Sequence, residues 1–224
     1  MKTLVIAPHP DDELLGCGGT LLKRSQGGSE LAWLLVTIMS PEEGWSVDKI
    51  ESRSREIESV RSGLGIRPKN LFQLDFPTTR LDSFPLGDIV QRLAEVFDSF
   101  KPEEIFLPHP NDAHSDHRVC YNAAMACSKW FRYPFLKKIL TYETLSETDA
   151  MVDQAGGFRP TVFIDITDHL EKKWELIEIY KSEIGSFPFP RSELAVKALA
   201  HFRGAQAGFS AAEAFCLLRE REVS

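Results

Sequence analysis

Apolar runs of strand length, separated by helix-length segments, recur along almost the whole chain. Strands that alternate with helices imply an α/β fold whose sheet is mostly parallel and covered by helices on both faces. The strands are predicted over residues 3–7, 31–38, 70–74, 104–107, 138–142 and 162–166. The helices are predicted over residues 12–26, 48–64, 86–100, about 117–129, 168–184 and 192–202.

Length and composition indicate one cytoplasmic domain. A chain of 224 residues suits a single sizeable α/β domain, and no linker divides residues 1–224. No segment approaches a membrane span, and the first apolar run is too short for a signal peptide. A net charge of −7 without a basic stripe argues against a nucleic-acid partner. Four cysteines without a C-x-x-C pair are expected to be buried thiols in a reducing cytoplasm.

A stiff, acidic turn, Pro-His-Pro-Asp-Asp-Glu at residues 8–13, follows the first apolar run. The two prolines restrict the backbone around His9, so this histidine is held in a rigid segment. Asp12 is well placed to cap a helix that begins near Glu13. Three adjacent carboxylates repel one another, and a divalent metal with His9 as a further ligand would relieve that repulsion.

A second turn rich in proline and histidine, residues 108–117, follows the apolar run at 104–107. It contains His114, Asp116 and His117. In open parallel sheets, ligands bind beyond the carboxyl ends of the strands, where the strand order reverses. Because each turn directly follows a strand, we expect both turns to lie on the same rim of the sheet.

The two turns together contain the residues of a catalytic metal site. Two histidines and one carboxylate, with an open position for water, are a known ligand set of catalytic zinc. His9 and Asp12 would come from the first turn and His117 from the second. Asp11 and His114 then remain beside the metal as the base and the acid that a hydrolysis needs. Nitrogen and oxygen ligands favour zinc but leave manganese and iron open.

Simpler interpretations exist for each residue taken singly. A histidine near a strand end often makes a structural hydrogen bond, and Asp12 alone is accounted for as a helix cap. Asp116 alone is accounted for as a first-turn carboxylate that interacts with the helix dipole. The same residue types recur in two turns after two strands, and this recurrence favours the metal site.

The motif from Ala7 to Glu13, with Gly-Cys-Gly-Gly-Thr at 16–20, resembles the first signature of the LmbE-like, or PIG-L, family of zinc-dependent de-N-acetylases. His-Ser-Asp-His at 114–117 resembles the second signature, which usually reads His-Pro-Asp-His. Weaker similarities extend the resemblance over nearly the whole chain. They are Arg53-x-x-Glu56 before Leu64-Gly65, and Gly208 with Ala-Glu-Ala-Phe at 212–215.

The resemblance implies a single-domain, three-layer Rossmann-like fold, although neither G-x-G-x-x-G after a strand nor G-x-x-x-x-G-K-[ST] is present. It implies an enzyme that removes an acyl group, usually acetyl, from the 2-amino group of a glucosamine-type sugar conjugate. The roles implied for single residues are zinc ligation by His9, Asp12 and His117, general base catalysis by Asp11, and oxyanion stabilisation or amine protonation by His114, which Asp116 orients or charges.

Residues that contact the substrate are less well marked. Trp45 follows a predicted strand and is placed to stack on a sugar ring. Arg53 is placed to hold an anionic or hydroxylated substituent, or else to pair with Glu56. Monomer and homo-oligomer both remain open, and residues 185–191 suit either a lid or an oligomer contact.

Two further functions remain open. One is a metal-dependent esterase or phosphoesterase acting on a small sugar. The other is a carbohydrate-binding relative without activity, and the intact Asp11 argues against it because binding alone needs no base.

Overall fold

Seven strands form one sheet in the computed structural model, which describes residues 1–150 and 156–222. The strands are β1 (Lys2–Ala7), β2 (Glu30–Ile38), β3 (Leu71–Pro77), β4 (Glu104–Pro108), β5 (Lys138–Tyr142), β6 (Val162–Asp165) and β7 (Ala212–Glu220). The helices are α1 (Asp12–Gln26), α2 (Val47–Gly63), α3 (Leu86–Phe100), α4 (Ser115–Ala126), α5 (Leu170–Ile177) and α6 (Glu193–Ala207). The strand order is β3-β2-β1-β4-β5-β7-β6.

Helices cover both faces of this sheet, as the sequence predicted. Successive side chains of a strand point to opposite faces, and β1 shows this at the centre of the sheet. Leu4 and Ile6 pack with buried residues of α3 and α4. Val5 and Ala7 pack with buried residues of α1, α2 and α5 on the other face. The mostly parallel α/β fold with three layers is therefore confirmed.

The structure differs from the sequence prediction in the last third of the chain. The helix predicted over 168–184 is shorter, because α5 ends at Ile177. The sequence did not predict β7, which pairs antiparallel with both β5 and β6. Its continuous apolar run, residues 214–218, is at least as long as that of β1, so the sequence did contain a signal for this strand. Among the helices of the described ranges, none is both long and apolar enough to cross a membrane.

Helix α1 is kinked at Cys17, whose φ of −148° and ψ of 19° are not helical. The kink leaves backbone amides in the middle of the helix without their usual carbonyl partners. The carboxylate of Glu213 on β7 accepts hydrogen bonds from the amides of Gly19 at 2.8 Å and Thr20 at 2.7 Å. A side chain from a distant strand thus caps the second half of α1.

Lys173 of α5 completes the same arrangement. In a regular helix, the carbonyl of Leu15 would accept from the amide of Gly19. Here Lys173 Nζ donates to that carbonyl at 3.0 Å and lies 2.7 Å from the Glu213 carboxylate. Both charged side chains are buried. A buried ion pair with all its polar groups bonded therefore joins α1, α5 and β7.

The strand order reverses at β1, which lies between β2 and β4. The turn at residues 8–12 follows β1, and the turn at residues 109–114 follows β4. At such a reversal the loops at the carboxyl ends of the strands separate and leave a crevice. Both polar turns therefore open onto one crevice.

Gly16 lies where α1 approaches the sheet closely. A Cβ at this position would come within 2.8 Å of three ring carbons of Tyr142. That ring is buried, and its hydroxyl donates to the carbonyl of Ile6 at 2.9 Å, so it cannot move aside easily. We expect Gly16→Ala to lower the free energy of unfolding by about 1–3 kcal/mol.

Gly87 in α3 is the matched control, because a Cβ there meets no atom within 4 Å. We expect Gly87→Ala to raise the free energy of unfolding by about 0.5–1 kcal/mol. Urea unfolding of the two variants and the wild type measures both changes. A Gly16→Ala midpoint equal to that of the wild type would contradict the close contact.

Candidate metal and catalytic site

Two imidazoles converge on one carboxylate at the carboxyl ends of β1 and β4. The backbone amide of His9 donates to Asp12 Oδ2 at 2.9 Å, which fixes the first turn. His9 Nδ1 lies 3.4 Å from Asp12 Oδ2, and His117 Nε2, from the first turn of α4, lies 3.3 Å from it. One ligand atom from each residue lies within 4.8 Å of the others, so the three side chains can hold one ion.

The remaining nitrogen of each imidazole is bonded to a further carboxylate. His9 Nε2 lies 3.0 Å from Asp116 Oδ2, and His117 Nδ1 lies 2.8 Å from Asp112 Oδ2. The other oxygen of Asp112 accepts from the hydroxyl of Thr148 at 2.6 Å. Metal-binding histidines usually have such an outer carboxylate, because it fixes the ring and raises its basicity. The outer bonds leave His9 Nδ1 and His117 Nε2 facing Asp12.

The electrostatics of the cluster favour a cation. Burial opposes the charged form of His9, but its bonds to Asp116 and Asp12 raise its pKa to about 9. Burial likewise opposes charge on His117, but Asp12 and Asp112 raise its pKa to about 10. Burial opposes the ionised form of Asp12, yet the two imidazoles hold its pKa well below the usual value. The raised pKa values show that both imidazoles lie where positive charge is favoured. A divalent metal bound to this donor set would supply that positive charge in place of the protons.

A second set of three donors, His9, His114 and Asp116, also lies within 4.8 Å and shares His9 with the first. Both oxygens of its carboxylate are already engaged. Asp116 accepts from the backbone amides of Thr79 at 2.8 Å and Leu81 at 3.0 Å in addition to its contact with His9. The set with Asp12 therefore fits a metal better.

His114 is arranged differently from the sequence expectation. Asp116 was expected to orient or charge it, but Asp116 Oδ2 bonds His9 and lies 4.0 Å from His114 Nδ1. Instead, His114 caps α4, and its Nδ1 accepts from the backbone amide of Asp116 at 3.1 Å. Partial burial and then the positive charge of His9 lower the pKa of His114. The neutral ring therefore has its proton on Nε2, where it can donate.

Asp11 has an unusual backbone. Its φ is 130° and its ψ is −29°, a region that favours glycine. Its amide donates to Glu13 Oε2 at 3.0 Å, and Glu13 Oε1 accepts from the hydroxyl of Tyr180 at 3.1 Å, all within the protein interior. Burial and the neighbouring negative charge of Asp12 raise the pKa of Asp11 to about 7, and Arg191 partly offsets this rise. A carboxylate with such a pKa is suited to taking up a proton near neutral pH.

Asp11, His9 and His114 line a cavity of about 550 Å³. Trp45 and Arg53 line the same cavity, so the structure brings both predicted substrate residues to the site. The Trp45 ring lies 5.4 Å below the ammonium group of Lys49.

Arg53 is held by several partners. It bonds Ser182 at 3.0 Å, pairs with Glu183, and lies 3.4 Å from Glu56. The pairing with Glu56 that the sequence left open is therefore present. Its Nη1 is buried and has no hydrogen-bond partner among the described residues.

Sequence reasoning missed three side chains of this site: Asp112, Glu147 and Arg191. Asp112 stands in the same turn as His117 and could have been considered as its outer carboxylate. Glu147 and Arg191 follow no motif. Arg191 contacts Asp11 across 180 residues of sequence, and no local pattern indicates such a contact.

The chain is similar to known deacetylases. The model of the family PIG-L, GlcNAc-PI de-N-acetylase, matches residues 4–128, more than half of the 224 residues. Diacetylchitobiose deacetylase of Thermococcus kodakarensis is 27% identical over 222 residues, which are 95% of this chain and 81% of that protein. An uncharacterised deacetylase of Escherichia coli, YaiS, is 29% identical over 148 residues, 64% of this chain and 74% of that protein.

Solved structures show the same fold. N,N'-diacetylchitobiose deacetylase of Pyrococcus horikoshii superposes with a TM-score of 0.77 at 24% identity, over 97% of this chain and 84% of that chain. The strand and helix arrangement, including the antiparallel β7, therefore belongs to a known α/β fold.

Because φ of Asp11 is positive, we expect glycine to be more stable than alanine at this position, which is the reverse of their order inside a helix. Asp11→Gly relieves the positive φ, whereas Asp11→Ala keeps it and loses the same carboxylate. After the entropic cost of glycine, we expect Asp11→Gly to be more stable than Asp11→Ala by about 1 kcal/mol.

The exposed Ser59 of α2 is the control, because there the order should reverse and Ser59→Ala should be the more stable by about 1 kcal/mol. Urea unfolding of the four metal-free variants gives both differences. The same order at both positions would show that Asp11 is unstrained.

Proposed function

The chain belongs to the PIG-L family, and we propose that it is a metal-dependent hydrolase that removes an acetyl group from the amide nitrogen of an N-acetylglucosamine-type sugar conjugate. The observation that carries this proposal is that a three-donor metal set, of which His9 lines the cavity, lies beside a base of raised pKa and a neutral imidazole that can donate a hydrogen bond into the same cavity.

His9, Asp12 and His117 are the residues that hold the metal in this proposal. A metal bound there supplies Lewis acidity, which activates water at neutral pH and polarises the amide carbonyl. The mixed nitrogen and oxygen donors favour zinc over manganese or iron. Asp112 and Asp116 orient the two imidazoles from outside.

Asp11 performs the proton transfers in this proposal, and His114 donates a hydrogen bond. Asp11, with a pKa of about 7, takes the proton from the attacking water. The neutral His114 presents Nε2–H to the developing charge on the oxygen and keeps its proton. Without a proton, the amine is a poor leaving group, so Asp11 passes on the proton taken from water to the departing amine, which completes the cleavage. The Asp116 carboxylate bonds His9, while the backbone amide of Asp116 bonds Nδ1 of His114 and so orients that ring.

The substrate class follows from the cavity and the relatives. About 550 Å³ is within the usual range for a small-molecule site. Trp45 offers a flat surface for a sugar ring, and the positively charged Arg53 lines the same cavity, where it suits a hydroxyl or an anion. Relatives named as diacetylchitobiose deacetylases support an N-acetylated amino sugar. The four free cysteines suit the reducing cytoplasm that the sequence predicted.

A turnover screen of the zinc-loaded protein tests the activity. The panel contains N-acetylglucosamine, its glycosides and N,N'-diacetylchitobiose, with an O-acetyl sugar and a sugar phosphate as the esterase and phosphoesterase arms. Release of free amine supports the deacetylase. Release of acetate from the ester alone, or of phosphate alone, would contradict it.

The two neighbouring aspartates should respond differently in the same assay. We expect Asp11→Asn to retain its metal and to lose about 10²-fold or more in kcat, because the base is gone. Asp12→Asn should lose metal and activity together. If Asp11→Asn were instead the variant without metal, the roles assigned to the two carboxylates would be interchanged.

Metal content tests the ligand set without any substrate. We expect about one divalent ion per chain in the wild type by elemental analysis, and a large loss in His117→Ala. His114→Ala is the matched control, because the ring of His114 lies 5.7 Å from that of His117 but outside the proposed ligand set, so this variant should retain the metal. Equal metal content in all three proteins would exclude His117 as a ligand.

A further inference from the structure

Arg191 reaches from the segment before α6 to the start of α1. Its Nη1 lies 2.5 Å from Asp11 Oδ2, and its side chain is only 17% exposed. The sequence left the role of residues 185–191 open between a lid and an oligomer contact. This contact instead joins the end of the segment to the proposed base.

The guanidinium group is held from several sides. Its Nε donates to the hydroxyl of Ser146 at 3.0 Å. Carboxylate oxygens of Glu147 and Glu183 each lie 3.7 Å from its outer nitrogens. A planar guanidinium with several fixed partners loses little freedom when it forms one more hydrogen bond. Arg191 is therefore a rigid support for whatever it contacts.

Asp11 depends on that support. Across residues 1–150 and 156–222, Arg191 supplies the one hydrogen bond that the Asp11 carboxylate makes. The backbone of Asp11 is fixed independently, through Glu13 and Tyr180. With its backbone fixed and one oxygen bonded to Arg191, Asp11 keeps a single orientation that leaves its other oxygen available.

We propose that Arg191 is a positioning residue that holds the Asp11 carboxylate in the orientation for proton transfer. It acts through Asp11, because its other partners are Ser146, Glu147 and Glu183, none of which is a proposed metal ligand. This role rests on the proposed deacetylase function. A misplacement of a reacting group by about 1 Å can cost about 10²-fold in rate, so the expected effect is large.

Two other roles for Arg191 give different kinetic results. If Arg191 bound the substrate, its loss would raise KM. If it merely tied the 185–191 segment to the rest of the protein, its loss would lower thermal stability, and added guanidinium would not restore turnover. A positioning role predicts a loss confined to kcat, with unchanged KM and metal content, and recovery when free guanidinium occupies the vacated space.

The experiment compares zinc-loaded wild type, Arg191→Ala, Arg191→Lys and Arg203→Ala on the best substrate of the screen. Arg203 is the matched control: it is 13% exposed and lies 2.6 Å from the carboxylate of Glu143, away from Asp11. We expect Arg191→Ala to lose about 10²-fold in kcat at unchanged KM. Arg191→Lys should lose less, Arg203→Ala should retain the wild-type kcat, and guanidinium should restore Arg191→Ala selectively.

Crystal structures of zinc-loaded wild type and Arg191→Ala give a readout that needs no turnover. The Asp11 carboxylate should occupy one rotamer in the wild type and a different rotamer, or several, in Arg191→Ala. An unchanged Asp11 rotamer in Arg191→Ala would overturn the proposal, as would wild-type kcat or a rise in KM alone. If the wild type released no amine from any substrate, the proposed function would fail, and the Asp11 rotamer would still decide the role of Arg191.

Discussion

Crowding of buried carboxylates at the ends of β1 and β4 is the constraint on which this site depends. Such groups repel one another in a medium of low dielectric constant unless positive charge lies among them. The fold provides this charge through the imidazoles of His9 and His117, the guanidinium of Arg191 and the amino ends of two helices. The carboxylates concerned are those of Asp11, Asp12, Glu13, Asp112 and Asp116.

Buried charges of opposite sign also stabilise the scaffold, where they bond backbone amides and a carbonyl. The kink in α1 leaves two amides and one carbonyl without helical partners, and the Lys173–Glu213 pair bonds them. Buried polar groups without partners are costly, so each charge of this pair is useful beyond its attraction to the other. Gly16, just before the kink, packs closely on Tyr142 of the sheet.

Local sequence patterns predicted most of the fold and part of the site. The apolar runs along the chain predicted the strands β1 to β6. The two His/Asp turns predicted that His9, Asp12 and His117 lie close together. Contacts between distant segments could not be predicted in the same way. Nearness in sequence suggested that Asp116 serves His114, but the capping of α4 turns its carboxylate towards His9. Arg191 and the buried Glu213 depend on tertiary contacts that no local pattern records.

The capping of α1 by β7 also has a consequence for synthesis of the protein. Glu213 lies 194 residues after Gly19, so α1 leaves the ribosome long before its capping group does. Until that group emerges, the amides of Gly19 and Thr20 lack the partner that they have in the folded protein. The amino-terminal half can form its parallel strands early, but the kinked helix reaches its final hydrogen bonding only after β7 is translated. Contacts of such long sequence separation are formed slowly, because loop closure must come first.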